Sequence, residues 1–81
     1  MSRDDIFAAL SGYLREMFEV PADRIKLDSK LVDDLDLDSI DAVDLVVKLQ
    51  ELTGKKIKPD QFKTVRTVGD VVDRVHDLVT Q

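Results

Sequence analysis

The middle of the chain, residues 38–54, reads DSIDAVDLVVKLQELTG. Asp38 is a good N-cap for a helix, with Asp41 at the third helical position, and Gly54 is a natural stop because glycine readily adopts a left-handed conformation. The apolar residues between them recur at helical rather than alternating spacing. We therefore expect a helix over residues 39–53, although valine by itself favours strands.

This helix carries two apolar faces. On a wheel of about 100° per residue, the face expected to contact the core holds Ala42, Leu45, Val46, Leu49 and Leu52. Ile40, Val43 and Val47 lie nearly opposite, beside Asp44 and Glu51. Exposed apolar residues ringed by acids are typical of a docking surface for a basic partner, whereas a buried row would be additional core. Periodicity alone favours neither interpretation.

The chain before this helix predicts one more helix and a long connection. The first helix should run from about Arg3 to Phe18, with Ser2 and Asp5 placed as an approximate capping box at its start. Residues 20–38 show no single period and predict a long loop, compatible with a short helical turn near residues 29–33. Apolar anchors should hold this loop on the bundle: Ile25, Leu27, Leu31, Leu35 and Leu37.

Two further helices are expected after Gly54. A short one should cover about Pro59–Lys63, because proline suits a first helical position. The last should start after Thr67, whose hydroxyl can cap it together with Asp70. We therefore expect a single all-α domain over residues 1–81: a small four-helix bundle with three main helices, one short helix and a long first loop.

Composition and charge exclude several classes of function. The chain has no Cys and one His, so thiolate catalysis and Cys- or His-based metal sites are not expected. The net charge is −5, with −6 over residues 33–51 and +4 over residues 55–66, which argues against nucleic acid as a partner. The polar N-terminus and the lack of a long apolar run predict a cytoplasmic protein without stable membrane insertion.

Ser39 follows the capping Asp38 directly. A serine at a helix start usually caps it, but Asp38 is at least as good a cap and leaves Ser39 free to point outward. A phosphate attached there would face backbone N–H groups and the positive end of the helix dipole. Catalysis by Ser39 is not expected, because the only histidine, His76, lies on the predicted last helix and no Gly-x-Ser-x-Gly elbow is present.

The acidic run before Ser39 also invites comparison with a calcium loop. Asp34, Asp36 and Asp38 match the first three ligand positions of an EF-hand. Ser39 stands where that loop needs glycine, and Leu45 stands where it needs a bidentate glutamate. We therefore expect no structured metal site.

Residues 33–46, DDLDLDSIDAVDLV, resemble the signature of the acyl carrier protein family, in which an Asp-Ser-Leu/Ile triplet opens the second helix. The resemblance covers nearly the whole chain and includes its length, its acidity, the long first loop, Gly54 and the Thr67–Asp70 start of the last helix. It implies that Ser39 carries a covalent 4'-phosphopantetheine arm, transferred from coenzyme A by a phosphopantetheinyl transferase with Mg²⁺. The arm ends in a thiol that holds acyl groups as thioesters, so the protein would be a non-catalytic carrier.

The resemblance also favours the docking interpretation of the second apolar row. In the family, the acidic second helix docks onto basic patches of partner enzymes, such as the ketosynthases and acyltransferases of fatty-acid, polyketide or related synthesis. The implied interface consists of Asp38, Ile40, Asp41, Val43, Asp44, Val47 and Glu51. We expect a monomer whose partly separable core can shelter an acyl chain.

Some positions depart from the family pattern. Asp36 stands where the family often has Gly, Lys48 and Gln50 replace residues that are often small or acidic, and residues 55–58 are basic. This pattern suggests a specialised bacterial carrier, for example in polyketide or aryl polyene synthesis, although ordinary solvated surface explains the lysines equally well. The alternatives are an aminoacyl or peptidyl carrier, which usually has paired glycines before the serine, and a helical interaction module without a prosthetic group.

Overall fold

A computed structural model describes residues 2–58, 62 and 64–80 of the chain. It shows three α-helices and a short 3₁₀ turn, namely α1 (Arg3–Phe18), the turn (Ala22–Arg24), α2 (Ser39–Thr53) and α3 (Val68–Thr80). The all-α class and the three main helices are confirmed. The short helix predicted at residues 59–63 lies outside the described residues, apart from Phe62.

All three helices start with a reciprocal pair of hydrogen bonds between the N-cap residue and the third helical residue. The pairs are Ser2–Asp5, Asp38–Asp41 and Thr67–Asp70. In each pair the cap side chain accepts a backbone N–H at 2.9–3.2 Å, and the carboxylate accepts the cap N–H at 3.2–3.3 Å. These bonds satisfy N–H groups that a helix start otherwise leaves without partners, so the sequence-based caps are confirmed.

The cap of α3 depends on pH. The backbone N–H groups of Arg66 and Thr67 donate to the Asp70 carboxylate and lower its pKa. Because the folded pKa lies below the unfolded value, the cap stabilises the fold above the unfolded pKa. This contribution is lost as the pH falls through the folded pKa.

The core lies between the three helices. Its buried helical side chains are Ile6, Leu10 and Leu14 of α1, Leu45, Val46 and Leu49 of α2, and Val68, Val71, Val72 and Val75 of α3. The core face predicted for α2 is confirmed at its centre and is wrong at Ala42, which is exposed. Ala42 lines an open cavity described below, so no neighbouring side chain covers it.

The long first loop is held against the start of α3 by backbone hydrogen bonds. They run from Leu31 N–H to the Arg66 carbonyl (2.9 Å), from Val68 N–H to the Ser29 carbonyl (2.9 Å) and from Gly69 N–H to the Leu27 carbonyl (2.8 Å). Lys30 and Thr67 form an isolated antiparallel β-bridge between the first two of these contacts. Two segments far apart in sequence are thereby joined edge to edge.

Most of the predicted anchors of this loop are buried, but one is not. Ile25, Leu35 and Leu37 are buried and Leu31 is half-buried. Leu27 is 57 % exposed, so its prediction as an apolar anchor was wrong. The Leu27 carbonyl, not its side chain, holds the loop on α3 by accepting the Gly69 N–H. The helical turn considered near residues 29–33 overlaps a turn over residues 31–35, in which the Asp34 N–H donates to the Lys30 carbonyl at 2.9 Å. A separate 3₁₀ turn lies at Ala22–Arg24.

Asp36 has a left-handed backbone, with φ of 56°. Glycine adopts this conformation without steric cost, and aspartate tolerates it better than most residues. The left-handed backbone therefore explains physically why glycine suits this position, which is often Gly in the family. The substitution of aspartate for glycine keeps the turn and adds a negative charge one turn before α2.

Gly69→Ala should destabilise the protein. A Cβ at position 69 would lie 2.9 Å from the Leu27 carbonyl oxygen, so the loop would have to move and would strain its hydrogen bond to α3. We expect a loss of roughly 1–3 kcal/mol in the free energy of unfolding, measured by urea denaturation. Gly12→Ala is the control, because its Cβ would meet nothing within 4 Å and alanine favours the helix by about 1 kcal/mol. Equal effects of the two substitutions would contradict the close approach.

Substitutions of Asp36 should follow its left-handed backbone. Asp36→Ala should cost about 1 kcal/mol of unfolding free energy, whereas Asp36→Gly should stay within about 1 kcal/mol of the wild type, because relief of strain is offset by greater chain entropy. The measurement is again urea denaturation, with Asp33→Ala as a control on the same loop at a residue with negative φ. Loss of stability in Asp36→Gly but not in Asp36→Ala would refute this account.

Candidate prosthetic-group site and docking face

Ser39 is the first residue of α2. The capping role at this helix start is filled by Asp38, whose Oδ1 accepts the Asp41 N–H at 2.9 Å. The helix start therefore does not depend on the hydroxyl of Ser39. The predicted outward direction of that hydroxyl stays a prediction, because the Ser39 side chain lies outside the described part of the structure.

The start of α2 borders an apolar cavity of about 560 Å³. Asp38 and Ala42, which precede and follow Ser39 in the chain, both line it. Its walls are formed by Leu45, Val46 and Leu49 of α2, by Leu31, Val32 and Leu37 of the first loop, and by Phe62, Val65 and Val71 beyond α2. This volume lies within the usual range of small-molecule sites.

These residues fit a phosphopantetheine group attached at the start of α2. The first turn of a helix offers backbone N–H groups and the positive end of the dipole to a phosphodiester. The Asp41 carboxylate, the nearest acid on the helix, is engaged in the capping box, with its Oδ2 accepting the Asp38 N–H at 3.3 Å. An acyl chain on such an arm would have an apolar cavity beside its attachment point, whose walls would shield part of the chain from water.

The second apolar row of α2 is exposed, so it is not additional core. The exposed fractions are 70 % for Ile40 and 46 % each for Val43 and Val47. We call these three residues the docking row. Since they are exposed in the isolated chain, they are not part of the core, and their contact with a partner stays a prediction.

The acids predicted around the docking row differ in their exposure and in their hydrogen-bond and ion-pair partners. Asp38 and Asp44 are exposed, and Asp41 is half-buried in its capping box. The Glu51 carboxylate contacts the Lys48 ammonium at 3.5 Å, and both side chains are largely exposed. An exposed pair of this kind contributes little to stability, but it reduces the negative charge at the C-terminal end of the row.

The structure also places residues near the site that sequence reasoning missed. Val32 on the first loop is 68 % exposed and lines the cavity, as do Lys30 and Arg66. Val32 lies in a stretch without periodicity, and the two cations line the same cavity only because two distant segments pair. No local sequence signal could have identified them.

Other chemistry has little support in the described part of the chain. One of the three EF-hand-like acids, Asp34, accepts the Lys30 N–H at 2.7 Å through its carboxylate. No cluster of three or more His, Cys, Asp or Glu side chains with the geometry of a metal site occurs among the described residues. None of the described helices combines the length and hydropathy needed to cross a membrane.

Comparison with known proteins agrees with this geometry. The family described as the phosphopantetheine attachment site matches residues 8–75. The chain is 47 % identical over 79 residues to acyl carrier protein 2 of Ralstonia nicotianae, covering 98 % of both chains. It is 38 % identical over 73 residues to an acyl carrier protein of Coprothermobacter proteolyticus, covering 90 % of this chain and 89 % of that one.

A solved structure supports the same assignment. The acyl carrier protein from Enterococcus faecalis superposes with a TM-score of 0.76 at 26 % identity, covering 99 % of this chain and 98 % of that one. The fold, the family match and the relatives therefore agree over nearly the full length of the chain. The resemblance seen in the sequence is confirmed, and the chain belongs to the acyl carrier protein family, whose prosthetic group is phosphopantetheine.

Proposed function

We propose that Ser39 is the attachment residue and that the protein presents acyl thioesters, held on the arm, to enzymes of fatty-acid, polyketide or related synthesis. The observation that carries this proposal is the commitment of the other serines to the fold. The chain has four serines, Ser2, Ser11, Ser29 and Ser39. A serine that must enter a transferase cannot at the same time be buried or needed for a cap.

The three other serines have structural roles or positions. Ser2 caps α1 by accepting the Asp5 N–H at 3.2 Å, and the hydroxyl oxygen of Ser11 is buried within the bundle. Ser29 is 7 % exposed, and its hydroxyl donates to the Arg24 carbonyl at 2.6 Å. At α2 the cap is supplied by Asp38, so the start of this helix does not require the Ser39 hydroxyl.

The residues around Ser39 serve the attached group in distinct ways. The group supplies a thiol, on which acyl chains are held as thioesters. The first turn of α2 favours the negative phosphodiester through its N–H groups and dipole. The apolar walls formed by Leu45, Val46 and Leu49 keep water away from a short acyl chain.

The docking row is proposed to contact the partner enzymes, including the phosphopantetheinyl transferase. Ile40, Val43 and Val47 supply apolar area that is buried only in the complex. Asp38 and Asp44 are exposed beside them and would steer the helix onto a basic patch around the entrance of a partner's active site. The protein itself is proposed to be a non-catalytic monomer in the cytoplasm.

Ser39→Ala should abolish loading of the arm. After incubation with a phosphopantetheinyl transferase, Mg²⁺ and coenzyme A, the intact mass of the wild type should increase by one phosphopantetheinyl group, and that of Ser39→Ala should not change. Ser2→Ala is the matched control and should be modified like the wild type. An unmodified wild type, or a modified Ser39→Ala, would overturn the assignment.

Val47→Gln should weaken docking without unfolding the protein. Loss of a side chain of this size from an apolar contact costs about 1–2 kcal/mol, so kcat/KM of the transferase for the carrier should fall roughly 5- to 30-fold. Because Val47 is half exposed, the melting temperature should hardly change. Leu27→Gln replaces an exposed apolar residue away from α2 and should leave kcat/KM unaltered. Similar kinetics for both variants would count against the docking row.

A further inference from the structure

We propose that Lys30 and Arg66 allow the cavity to accept acyl chains that carry a hydrogen-bond-accepting oxygen, a ketone or a carboxylate, beyond the thioester. Both residues line the apolar cavity that begins at the first turn of α2. The inference rests on the proposed attachment of acyl chains through Ser39. It adds the chemical class of chain that the cavity accepts.

Backbone pairing brings the segment around Lys30 beside the segment around Arg66. Lys30 forms the β-bridge with Thr67, the residue after Arg66. Leu31, the residue after Lys30, donates its N–H to the Arg66 carbonyl at 2.9 Å. The backbones of Lys30 and Arg66 are therefore neighbours in the pairing, although 36 places separate them in the sequence, and both residues line the cavity.

Both cations have donors to spare. Within the described residues, the ion pairs are Arg3–Asp73 and Lys48–Glu51, so neither Lys30 nor Arg66 is engaged in one. Lysine and arginine side chains donate hydrogen bonds and accept none, which makes an oxygen atom their natural ligand. Donors at the edge of an apolar cavity can thus be satisfied by an oxygen on the chain inside it.

Two acids also line the cavity, and they shape the preference. Oδ1 of Asp38 is engaged by the Asp41 N–H at 2.9 Å, and Asp33 is exposed on the loop. Among the described residues that line the cavity, two cations and two acids balance in formal charge. A neutral ketone oxygen meets the donors without repulsion from the acids, and a carboxylate gains more from the cations but is opposed by the acids.

The apolar walls make the hydrogen-bond donors of Lys30 and Arg66 important for any oxygen that enters the cavity. An oxygen that enters the space between Leu45, Val46 and Leu49 loses its hydrogen bonds to water, which is unfavourable unless the protein replaces them. Lys30 and Arg66 replace them. A saturated chain needs no replacement, so it gains nothing from the cations.

The test compares acyl forms of the same protein. A phosphopantetheinyl transferase would load the wild type from octanoyl-, 7-oxo-octanoyl- or suberoyl-coenzyme A, and the melting temperature of each form would be measured. The cavity variant is Lys30→Met with Arg66→Met, which removes the donors and keeps the side-chain length. The matched control is Lys26→Met with Arg74→Met, since both residues are exposed and neither lines the cavity.

In the wild type and the control, the 7-oxo-octanoyl form should melt within about 1 °C of the octanoyl form. In the cavity variant it should melt roughly 6–12 °C lower, which is the scale of one lost hydrogen bond to a charged group in a domain of this size. Comparison within each variant removes any general effect of the substitutions on folding. If the suberoyl form of the cavity variant also melts lower than its octanoyl form, while the wild type shows no such difference, the cations bind a carboxylate as well as a ketone.

The outcomes separate this inference from the carrier function. If the cavity variant shows the same differences between acyl forms as the wild type, for both oxygenated chains, the inference is overturned and the carrier function stands. If the wild type takes up no acyl group at all, the attachment proposal fails and this inference fails with it. A widened difference in the control variant would also overturn it, because the effect would then be one of surface charge.

Discussion

The pairing between the first loop and the start of α3 is the constraint on which the other features depend. Closing a loop of this length is entropically costly, and a small bundle has little core with which to offset that cost. Backbone hydrogen bonds from Leu31, Val68 and Gly69, all 2.9 Å or shorter, hold the loop in place. They fix one wall of the cavity and bring Lys30 beside Arg66, and the loop then leads directly into Asp38 and α2.

The parts of the molecule that the sequence predicts are those held by local interactions rather than by this long-range pairing. The three capping boxes join residues three positions apart, so their hydrogen bonds are readable from the residue types alone. The bounds of the main helices follow from these caps and, at the end of α2, from the left-handed Gly54. Local interactions of this kind leave a local signature.

What the sequence could not predict lies where distant segments meet. Leu27 has the composition of an anchor, yet its carbonyl makes the contact and its side chain stays in solvent. Ala42 has the period of a core residue, yet the helices and loop leave a cavity beside it. In both cases the outcome depends on the position of another segment. The exposure of Ile40, Val43 and Val47 depends in the same way on the loop not covering them.

The cavity beside the first turn of α2 changes the affinity that a carrier needs. A chain tethered at the proposed attachment residue meets the cavity at an effective concentration on the order of millimolar, whatever the concentration of the protein. Occupancy therefore requires only weak intrinsic binding, and a partly enclosed cavity suffices where a free ligand would need a fully enclosed one. Weak binding also lets the chain leave quickly, so storage and delivery of the cargo do not oppose each other.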